Sequence, residues 1–170
     1  LAALFCRSLC SHRQVEATYF SQSGGEKLRR LSPMALVNDG ERWHIRCFDH
    51  NSGMFKDYNL ARFKKVNDIG PTSARIDDDA DWQTIVALEL TPHPNASHPE
   101  TIQFDFDMDS NVIKVELPRC VAGYFLRRWH IDFSANAEAN PRSHQLYLVN
   151  RLELLEQGIQ EWALEWDQSG

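Results

Sequence analysis

Two turn signals placed between strand-like segments, within residues 29–62, constrain the fold of this chain more than any other feature. Asp39-Gly40 stands between two such segments and is a strong short-range signal for a β-hairpin. Asn51–Gly53 marks a second bend, and a return strand from Phe55 to Leu60 follows it. Because each turn joins neighbouring antiparallel strands, the sequence predicts a small β-sheet in this region.

Apolar and cationic residues alternate in the strand after the first turn. The apolar set is Trp43, Ile45 and Cys47, and the cationic set is Arg42, His44 and Arg46. Successive side chains on a strand point to opposite faces, so we assign the first set to the core and expect the second to share one face. That face has two interpretations, a solvated sheet surface or a site that binds an anion.

Four segments of this region resemble a WYL domain. They are Arg29-x-Leu-Ser-Pro33, Ala35-Leu-Val37, Arg42-Trp-His-Ile-Arg46 and Phe55-Lys-Asp-Tyr-x-Leu-x-Arg62. Trp43-His44-Ile45 stands where the family has the Trp-Tyr-Leu that names it. The resemblance implies a small Sm-like or SH3-like β-barrel of a bacterial transcriptional regulator. The central His is similar to the branch of winged-helix repressors that govern phage-defence operons.

The resemblance also implies that the barrel binds a nucleic-acid or nucleotide ligand. The residues expected to contact it are Ser21, Arg29, Arg42, His44, Arg46, Lys56, Tyr58 and Arg62. The planar guanidinium of arginine offers paired donors that match phosphate oxygens. A tyrosine such as Tyr58 can stack on a base. A plain hairpin loop is the competing interpretation of the Ser-rich segment that begins at Ser21.

The chain divides into four predicted segments. Residues 1–12 form a helix, 13–66 the barrel, 67–81 a linker, and 82–170 a small α/β domain. The resemblance extends to the last segment through Thr91-Pro-His-Pro94 and the helix from Arg119 to Asp132. It implies that the first helix links to a DNA-binding domain, that the barrel senses the ligand, and that residues 82–170 are a C-terminal extension that dimerises. The linker is predicted from a shift in composition toward Gly, Pro, Ser and Asp. Within the extension, the sequence predicts a core stripe of Val121, Tyr124, Phe125 and Trp129, and a last helix over residues 151–166. The predicted fold class is therefore mixed β and α/β.

Charge is distributed unevenly along the chain. Residues 1–70 carry a net charge of +4 and residues 71–170 one of −10, within a total of −6. This asymmetry indicates a first half suited to a polyanion and a second half that is not. The sequence has no run of about 18 apolar residues and no secretory signal, so we expect no membrane partner. Four cysteines without a paired spacing indicate a reducing compartment, and we expect the cytoplasm.

A rival motif lies in the second half. Asp105, Asp107, Asp109 and Glu116 occupy four ligand positions of a calcium-binding loop. Ser110 replaces the glycine that such a loop needs at its sharp bend, and the segment from Val112 to Leu117 alternates like a strand. The four carboxylates are therefore kept only as a weak alternative, and the sequence predicts neither a metal nor a cofactor.

The sequence shows no common catalytic motif, and we expect no enzyme. The prediction is the ligand-sensing and dimerisation region of a bacterial transcriptional regulator, most simply a repressor of a phage-defence or stress operon that works as a homodimer. Operator DNA would be contacted by an upstream winged-helix domain that is not in this chain. The alternatives are a stand-alone nucleic-acid-binding or protein-interaction module and, less favoured, a calcium-binding module.

Overall fold

The computed structural model describes residues 1–22 and 24–165 of the chain. These residues form two compact units, which we call unit 1 (residues 1–79) and unit 2 (from Ala80 onward). Each unit has its own hydrophobic core and its own antiparallel sheet. The mixed β and α/β class predicted from the sequence is confirmed.

Unit 1 is one helix followed by five strands. The elements are α1 (Ala2–Cys10), β1 (Arg13–Ser21), β2 (Gly25–Asn38), β3 (Trp43–Asp49), β4 (Met54–Asn59) and β5 (Phe63–Pro71). The sheet order is β4-β3-β2-β1-β5, so β4 and β5 are its edges and the sheet is open. Short 3-10 helices precede β5 and follow it, at Leu60–Arg62 and Ile76–Asp78.

The fourteen-residue strand β2 organises unit 1. Its first half, from Gly25 to Leu31, pairs with β1, and its second half, from Leu31 to Asn38, pairs with β3. The register with β3 shifts between Pro33 and Ala35, where a β-bulge bends the strand. β2 thus changes partner at Leu31 and bends at the bulge that follows, and the sheet curls around the core.

Aromatic rings fill the concave side of this curled sheet. Tyr19 of β1 contacts Tyr58 of β4 and Phe63 of β5, with ring centroids 4.9 and 4.8 Å away. Phe5 of α1 packs on Phe63 at 4.7 Å, which places the helix against the same cluster. The rings therefore connect strands from the two edges of the sheet through the core.

The sequence predicts most elements of unit 1 but places some boundaries and one side chain wrongly. The last strand continues to Pro71, beyond the expected barrel end near Val66, and its register with β1 ends at the pair Arg13 and Pro71. The alternation assigns Trp43 to the core, yet this side chain is 53% exposed, because it stands at the first position of β3 where the sheet ends.

Unit 2 has a three-stranded sheet with helices. The elements are α2 (Ala80–Gln83), β6 (Ile85–Pro92), α3 (Pro99–Asp105), β7 (Ile113–Pro118), α4 (Ala122–Arg128), β8 (Leu146–Leu148) and α5 (Arg151–Glu156). The strand order is β7-β6-β8, and both pairings are antiparallel. Inward residues of β6, such as Val86, Leu88 and Leu90, lie in the core with side chains of α4 and α5.

Two predictions for unit 2 are wrong in detail. The single last helix over 151–166 is instead α5, a turn at Gly158, and a 3-10 helix at Glu161–Leu164; residue 166 lies outside the described residues. Gly158 has a φ of +81°, a left-handed conformation that ends a right-handed helix. Trp129, placed in the core stripe by its helical spacing, is 60% exposed because α4 ends at Arg128.

No helix among the described residues is long and apolar enough to cross a membrane. The described residues also contain no group of three or more His, Cys, Asp or Glu side chains arranged to hold a metal ion.

Candidate ligand-binding site

The strand register divides the predicted ligand residues between two faces of the sheet in unit 1. Lys56 lies opposite Cys47, and Tyr58 lies opposite Ile45, so both belong to the concave face that carries the core. Arg29 lies opposite Ala17 and shares that face. His44 and Arg46 alternate with the buried residues of β3 and therefore belong to the other face.

A buried carboxylate, Asp49, brings three of the predicted residues together. It is the last residue of β3, and its side chain is fully buried. Its Oδ2 accepts a hydrogen bond from the Tyr58 hydroxyl at 2.8 Å and lies 3.4 Å from Nη1 of Arg29 and 3.9 Å from Nζ of Lys56. We call Arg29, Asp49, Lys56 and Tyr58 the Asp49 cluster.

The turn after β3 completes the hydrogen bonding of Asp49. Oδ1 accepts from the backbone N–H of Asn51 at 2.9 Å, and Oδ2 accepts from the Ser52 hydroxyl at 3.1 Å. Burial alone would raise the pKa of Asp49, but hydrogen bonds from Tyr58, Asn51 and Ser52 and the charge of Arg29 lower it below its ordinary value. The carboxylate is therefore charged at neutral pH.

The two cations of the Asp49 cluster are held loosely. Nε of Arg29 is buried and has no hydrogen-bond partner among the described residues. The Lys56 side chain is 41% exposed, and its 3.9 Å contact with Asp49 is longer than a hydrogen bond. Tyr58, in contrast, is committed to the core, where burial and the hydrogen bond to Asp49 raise its pKa far above the ordinary value. The expected stacking of a base on Tyr58 has no support from this placement.

Arg46 is bound within the fold. Its side chain is 4% exposed, and its guanidinium makes a bidentate ion pair with Asp79, with Nη2 2.8 Å from Oδ1 and Nε bonded to Oδ2. Nη1 also donates to Asp57 at 3.1 Å. A guanidinium that is enclosed and paired with two carboxylates has its donors engaged by the protein itself.

His44 belongs to the first turn. Its Nε2 lies 2.7 Å from Oδ2 of Asp39, whose Oδ1 accepts from the backbone N–H groups of Glu41 and Arg42. Burial would raise the pKa of Asp39, but these hydrogen bonds, led by that of His44, lower it below the ordinary value. The arrangement stabilises the Asp39-Gly40 hairpin, in which Gly40 has a φ of +105°.

The remaining predicted residues lie apart. The hydroxyl of Ser21 accepts from the backbone N–H of Gly24 at 3.0 Å and closes the β1–β2 hairpin. Arg42 is exposed beside Trp43, while Arg62 is half-buried in the 3-10 helix before β5. Within the described part of the chain, neither guanidinium has a hydrogen-bond partner. The structure therefore gathers Arg29, Lys56 and Tyr58 and separates the other five.

Asp49 is the residue that the sequence interpretation missed. Strand alternation carried one step further, from Ile45 and Cys47, places Asp49 on the buried face. An acid in a buried position of a strand requires partners, and the two cations and the tyrosine on neighbouring strands supply them. That pattern was the available signal.

The weak calcium alternative falls on different elements. Asp105 ends α3, Asp107 has a left-handed φ of +50°, and Glu116 lies on β7. The segment from Ile113 to Pro118 is a strand of the sheet, as its alternation predicted. The metal-coordinating role of these carboxylates gains no support from their placement.

Two family models match the chain. The model described as "WYL domain" matches residues 2–67. The model described as "BrxR transcriptional regulator, C-terminal dimerization domain" matches residues 85–154. The first match falls within unit 1 and the second within unit 2.

Curated relatives carry a consistent description. The "DNA-binding transcriptional repressor CapW" of Pseudomonas aeruginosa is 38% identical over 133 residues, which are 77% of this chain and 44% of the relative. The protein of the same name from Escherichia coli (strain KTE188) is 29% identical over 151 residues, 87% of this chain and 50% of the relative. The chain thus spans about half the length of these relatives.

Solved structures are similar to the chain as well. Among them is the proteasome accessory factor B/C of Arthrobacter aurescens, at 12% identity and a TM-score of 0.40, over 95% of this chain and 26% of that one.

Proposed function

Because the chain belongs to the WYL-domain transcriptional regulators, with a WYL domain followed by a BrxR-type C-terminal dimerization domain, we propose that it is the sensing and dimerising region of a DNA-binding repressor. Unit 1 would sense the ligand, and unit 2 would join two copies into a homodimer. The matched relatives named as DNA-binding transcriptional repressors support a regulatory role rather than a catalytic one.

The rest of the proposal concerns the whole protein, since the chain spans about half the length of its relatives. We propose that a winged-helix domain upstream of Leu1 contacts operator DNA and that the repressor works in the cytoplasm. Ligand binding in unit 1 would favour one arrangement of α1 and so change the spacing of the paired DNA-binding domains.

We further infer that the sheet of unit 1 is an Sm-like barrel. The support comes from β2, which pairs with β1 along one half and with β3 along the other. Tyr19, Tyr58 and Phe63 add to it, because they join β1, β4 and β5 through the core. The Asp49 cluster lies on the concave face of this sheet.

The proposed ligand is a nucleic acid or nucleotide, and its phosphate would be held by Arg29 and Lys56. The observation that carries this proposal is the guanidinium of Arg29, whose side chain is 24% exposed and whose Nη1 makes a long contact of 3.4 Å with Asp49. Its buried Nε has no hydrogen-bond partner among the described residues, so the protein holds this guanidinium by few bonds. A phosphate at the exposed part of the guanidinium would accept charge-assisted bonds from it.

The charges of the Asp49 cluster favour such a ligand. Asp49 contributes one negative charge, and Arg29 and Lys56 contribute two positive charges, so the cluster keeps a net positive charge. Lys56 is partly exposed to solvent, and a ligand could replace the water around its ammonium group.

We propose different roles for the other residues that the sequence predicts as ligand contacts. Arg42 and Arg62 have free donors within the described residues and are proposed as outer contacts to a longer ligand. Ser21 has no contact in this proposal, because its hydroxyl closes the β1–β2 hairpin apart from the Asp49 cluster. Arg46 and His44 are proposed as supports of the fold, since Asp79 and Asp39 engage them.

The test is fluorescence-anisotropy binding of short labelled single-stranded DNA and RNA at two salt concentrations. The variant is Arg29→Gln, and its matched control is Arg30→Gln. Arg30 is the next residue on the same strand; it is exposed, and its Nε donates to Gln14 on the other face of the sheet. We expect Arg29→Gln to weaken binding at least tenfold and Arg30→Gln to weaken it much less. Binding should also fall with salt, because phosphate contacts release counterions.

Equal weakening by the two variants would contradict the site, because it would show a general effect of charge. Lack of binding to either oligonucleotide would contradict the nucleic-acid ligand, and the same pair of variants would then be compared with mononucleotides by calorimetry. A difference between Arg29→Gln and Arg30→Gln in that second assay would assign the site to a nucleotide.

A further inference from the structure

The sheet of unit 2 has one covered edge and one open edge. At the β8 edge, the segment at Asp132 adds a bridge, with Asp132 N–H donating to Leu146 and Leu148 N–H donating to Asp132, both at 2.9 Å. Among residues 80–165, no strand pairs with the outer side of β7, which is the other end of the order β7-β6-β8. An open edge presents unpaired backbone donors and acceptors that can receive another strand.

The backbone groups that face outward from β7 can be identified. Glu89 of β6 donates its N–H to Asn150 Oδ1 at 3.0 Å and accepts from the N–H of Val149 at 3.0 Å, so its backbone faces β8. Its partner on β7 is Lys114. In an antiparallel pair, two opposed residues direct their backbone N–H and C=O groups either toward each other or away from each other. Because those of Glu89 point away from β7, those of Lys114 point away from β6. The backbone of Lys114 therefore faces the open edge.

Glu116 follows the same rule. Its partner on β6 is Ala87, whose carbonyl accepts from Asn150 Nδ2 at 2.9 Å on the β8 side. The outward positions of β7 are thus Lys114 and Glu116, with Val115 between them directed toward β6. The side chains of Lys114 and Glu116 are both exposed, on the face of the sheet away from the core.

We propose that β7 pairs antiparallel with β7 of a second copy of this chain, about a two-fold axis at Val115, which doubles the three-stranded sheet. This inference rests on the proposed homodimer and assigns its interface. In this register Lys114 lies opposite Glu116 of the second copy, and Glu116 lies opposite Lys114 of the second copy. Both pairs are of the hydrogen-bonded kind, because their backbone groups face outward.

Charge complementarity identifies the occupant as a second copy. Nζ of Lys114 lies 2.7 Å from Glu89 on one side, and its side chain is 66% exposed on the other. Glu116 of the second copy would fill that other side, so each Lys114 would lie between two carboxylates. Centring the pairing on Lys114 or on Glu116 would instead place like charges opposite each other, which disfavours those registers.

The apolar side of β7 agrees with this pairing. Ile113 and Val115 pack on the core of unit 2 but are only partly buried, because β7 ends the sheet. A second β7 would cover their open side with the same residues. Pro118, which has no N–H to donate, limits the pairing at its C-terminal end. The interface would therefore be short and centred on three residues, with side chains around it adding area.

The experiment is sedimentation equilibrium of the whole chain and three variants, Lys114→Glu, Glu116→Lys, and the double exchange. Each single change places two like-charged pairs in the interface, and we expect it to weaken the homodimer at least tenfold. The double exchange restores opposite charges and should recover the dimer. Mixing the two single variants should give a heterodimer, because every pair between them has opposite charges. Arg142→Glu, on an exposed loop, is the matched control and should leave the dimer unchanged.

The outcomes separate the two proposals. A wild-type dimer whose affinity the single variants do not change would overturn the β7 interface and leave the homodimer in place. Single variants that weaken the dimer, with no recovery in the double exchange or in the mixture, would also overturn it. The loss of the Lys114–Glu89 contact would then account for Lys114→Glu, and a general effect of charge for Glu116→Lys. A wild-type chain that stays monomeric at all concentrations would overturn the homodimer and the interface together.

Discussion

The two units each bury a carboxylate, and they satisfy it in different ways. Asp49 in unit 1 accepts from two hydroxyl groups, one backbone N–H and loosely held cations. Asp132 in unit 2 accepts from the backbone N–H groups of Ser134 and Ala139, at 2.8 and 3.0 Å, and from Nε2 of His93 at 2.9 Å. The hydroxyl of Ser134 also donates to Asp132. The first arrangement rests mainly on groups that can rotate, whereas a backbone N–H holds each oxygen of Asp132 in the second.

The histidine of unit 2 shows why its arrangement is fixed. Nδ1 of His93 accepts from the backbone N–H of Asn95 at 3.1 Å, so the proton of the neutral ring stands on Nε2 and is donated to Asp132. His93 and Asp132 are both fully buried. We infer that the Asp132 pair is structural, whereas the Asp49 cluster keeps donors that a ligand can use.

The largest effect is expected from Asp132→Asn. Both oxygens of Asp132 accept from N–H groups that are fixed in place. The substitution replaces one of these oxygens by an NH2 group, whose hydrogens then point at the fixed N–H groups. We expect a loss of about 3 kcal/mol in the free energy of unfolding. Urea unfolding followed by circular dichroism measures it, with the exposed Asp109→Asn as the control. A loss as small as that of the control would show that the pair adjusts as easily as the Asp49 cluster.

Asp49→Asn should cost less and should change binding. The hydroxyl groups of Tyr58 and Ser52 can rotate to accept from the new amide, and Oδ1 can keep the N–H of Asn51. We expect a loss of about 1 kcal/mol in the same urea assay. Removal of the negative charge beneath Arg29 and Lys56 should strengthen the binding of an anionic ligand several-fold. Weaker oligonucleotide binding in a folded Asp49→Asn variant would contradict the proposed phosphate site.

The smallest effect is expected in the pH dependence of stability. Burial and the charge of His130, whose ring centroid is 5.9 Å away, lower the pKa of His144 below its ordinary value. The unfolded chain then binds more protons than the folded chain just below pH 6.5, so stability is full above that pH and falls as the pH decreases. His144→Gln should make this fall shallower in melting curves recorded between about pH 7.5 and 5.5, the range in which histidine titrates. An unchanged slope would show that His144 does not titrate differently in the two states.

The sequence predicted local structure better than it predicted contacts. The Asp39-Gly40 turn and the alternation of Ile45 and Cys47 are local properties, and both appear in the fold. The burial of Arg46 depends on Asp79, which lies 33 positions away in the chain and is not marked by any local pattern. Trp43 follows the alternation but stands at the end of its strand, where the pattern continues and the core does not.

The candidate site was predicted in part for the same reason. The resemblance predicts Arg29, Lys56 and Tyr58, and the register brings them to one face. The resemblance does not include Asp49, which holds them together, and a single acid before a turn is common on protein surfaces. The alternation of side chains along β3 distinguishes Asp49 from a surface acid. It assigns Asp49 to the same buried face as Ile45 and Cys47, and it can be seen in the sequence.

The ion pair between Arg46 and Asp79 also indicates how far the chain must extend for unit 1 to fold independently. The match to the WYL model ends at residue 67, and β5 ends at Pro71. A truncation at either point would remove Asp79 and leave the buried guanidinium without its bidentate partner, a loss that Asp57 alone does not make good. The boundary of an independently folding unit 1 thus depends on one charge after the last strand, and we expect an excised domain to need the chain through Asp79.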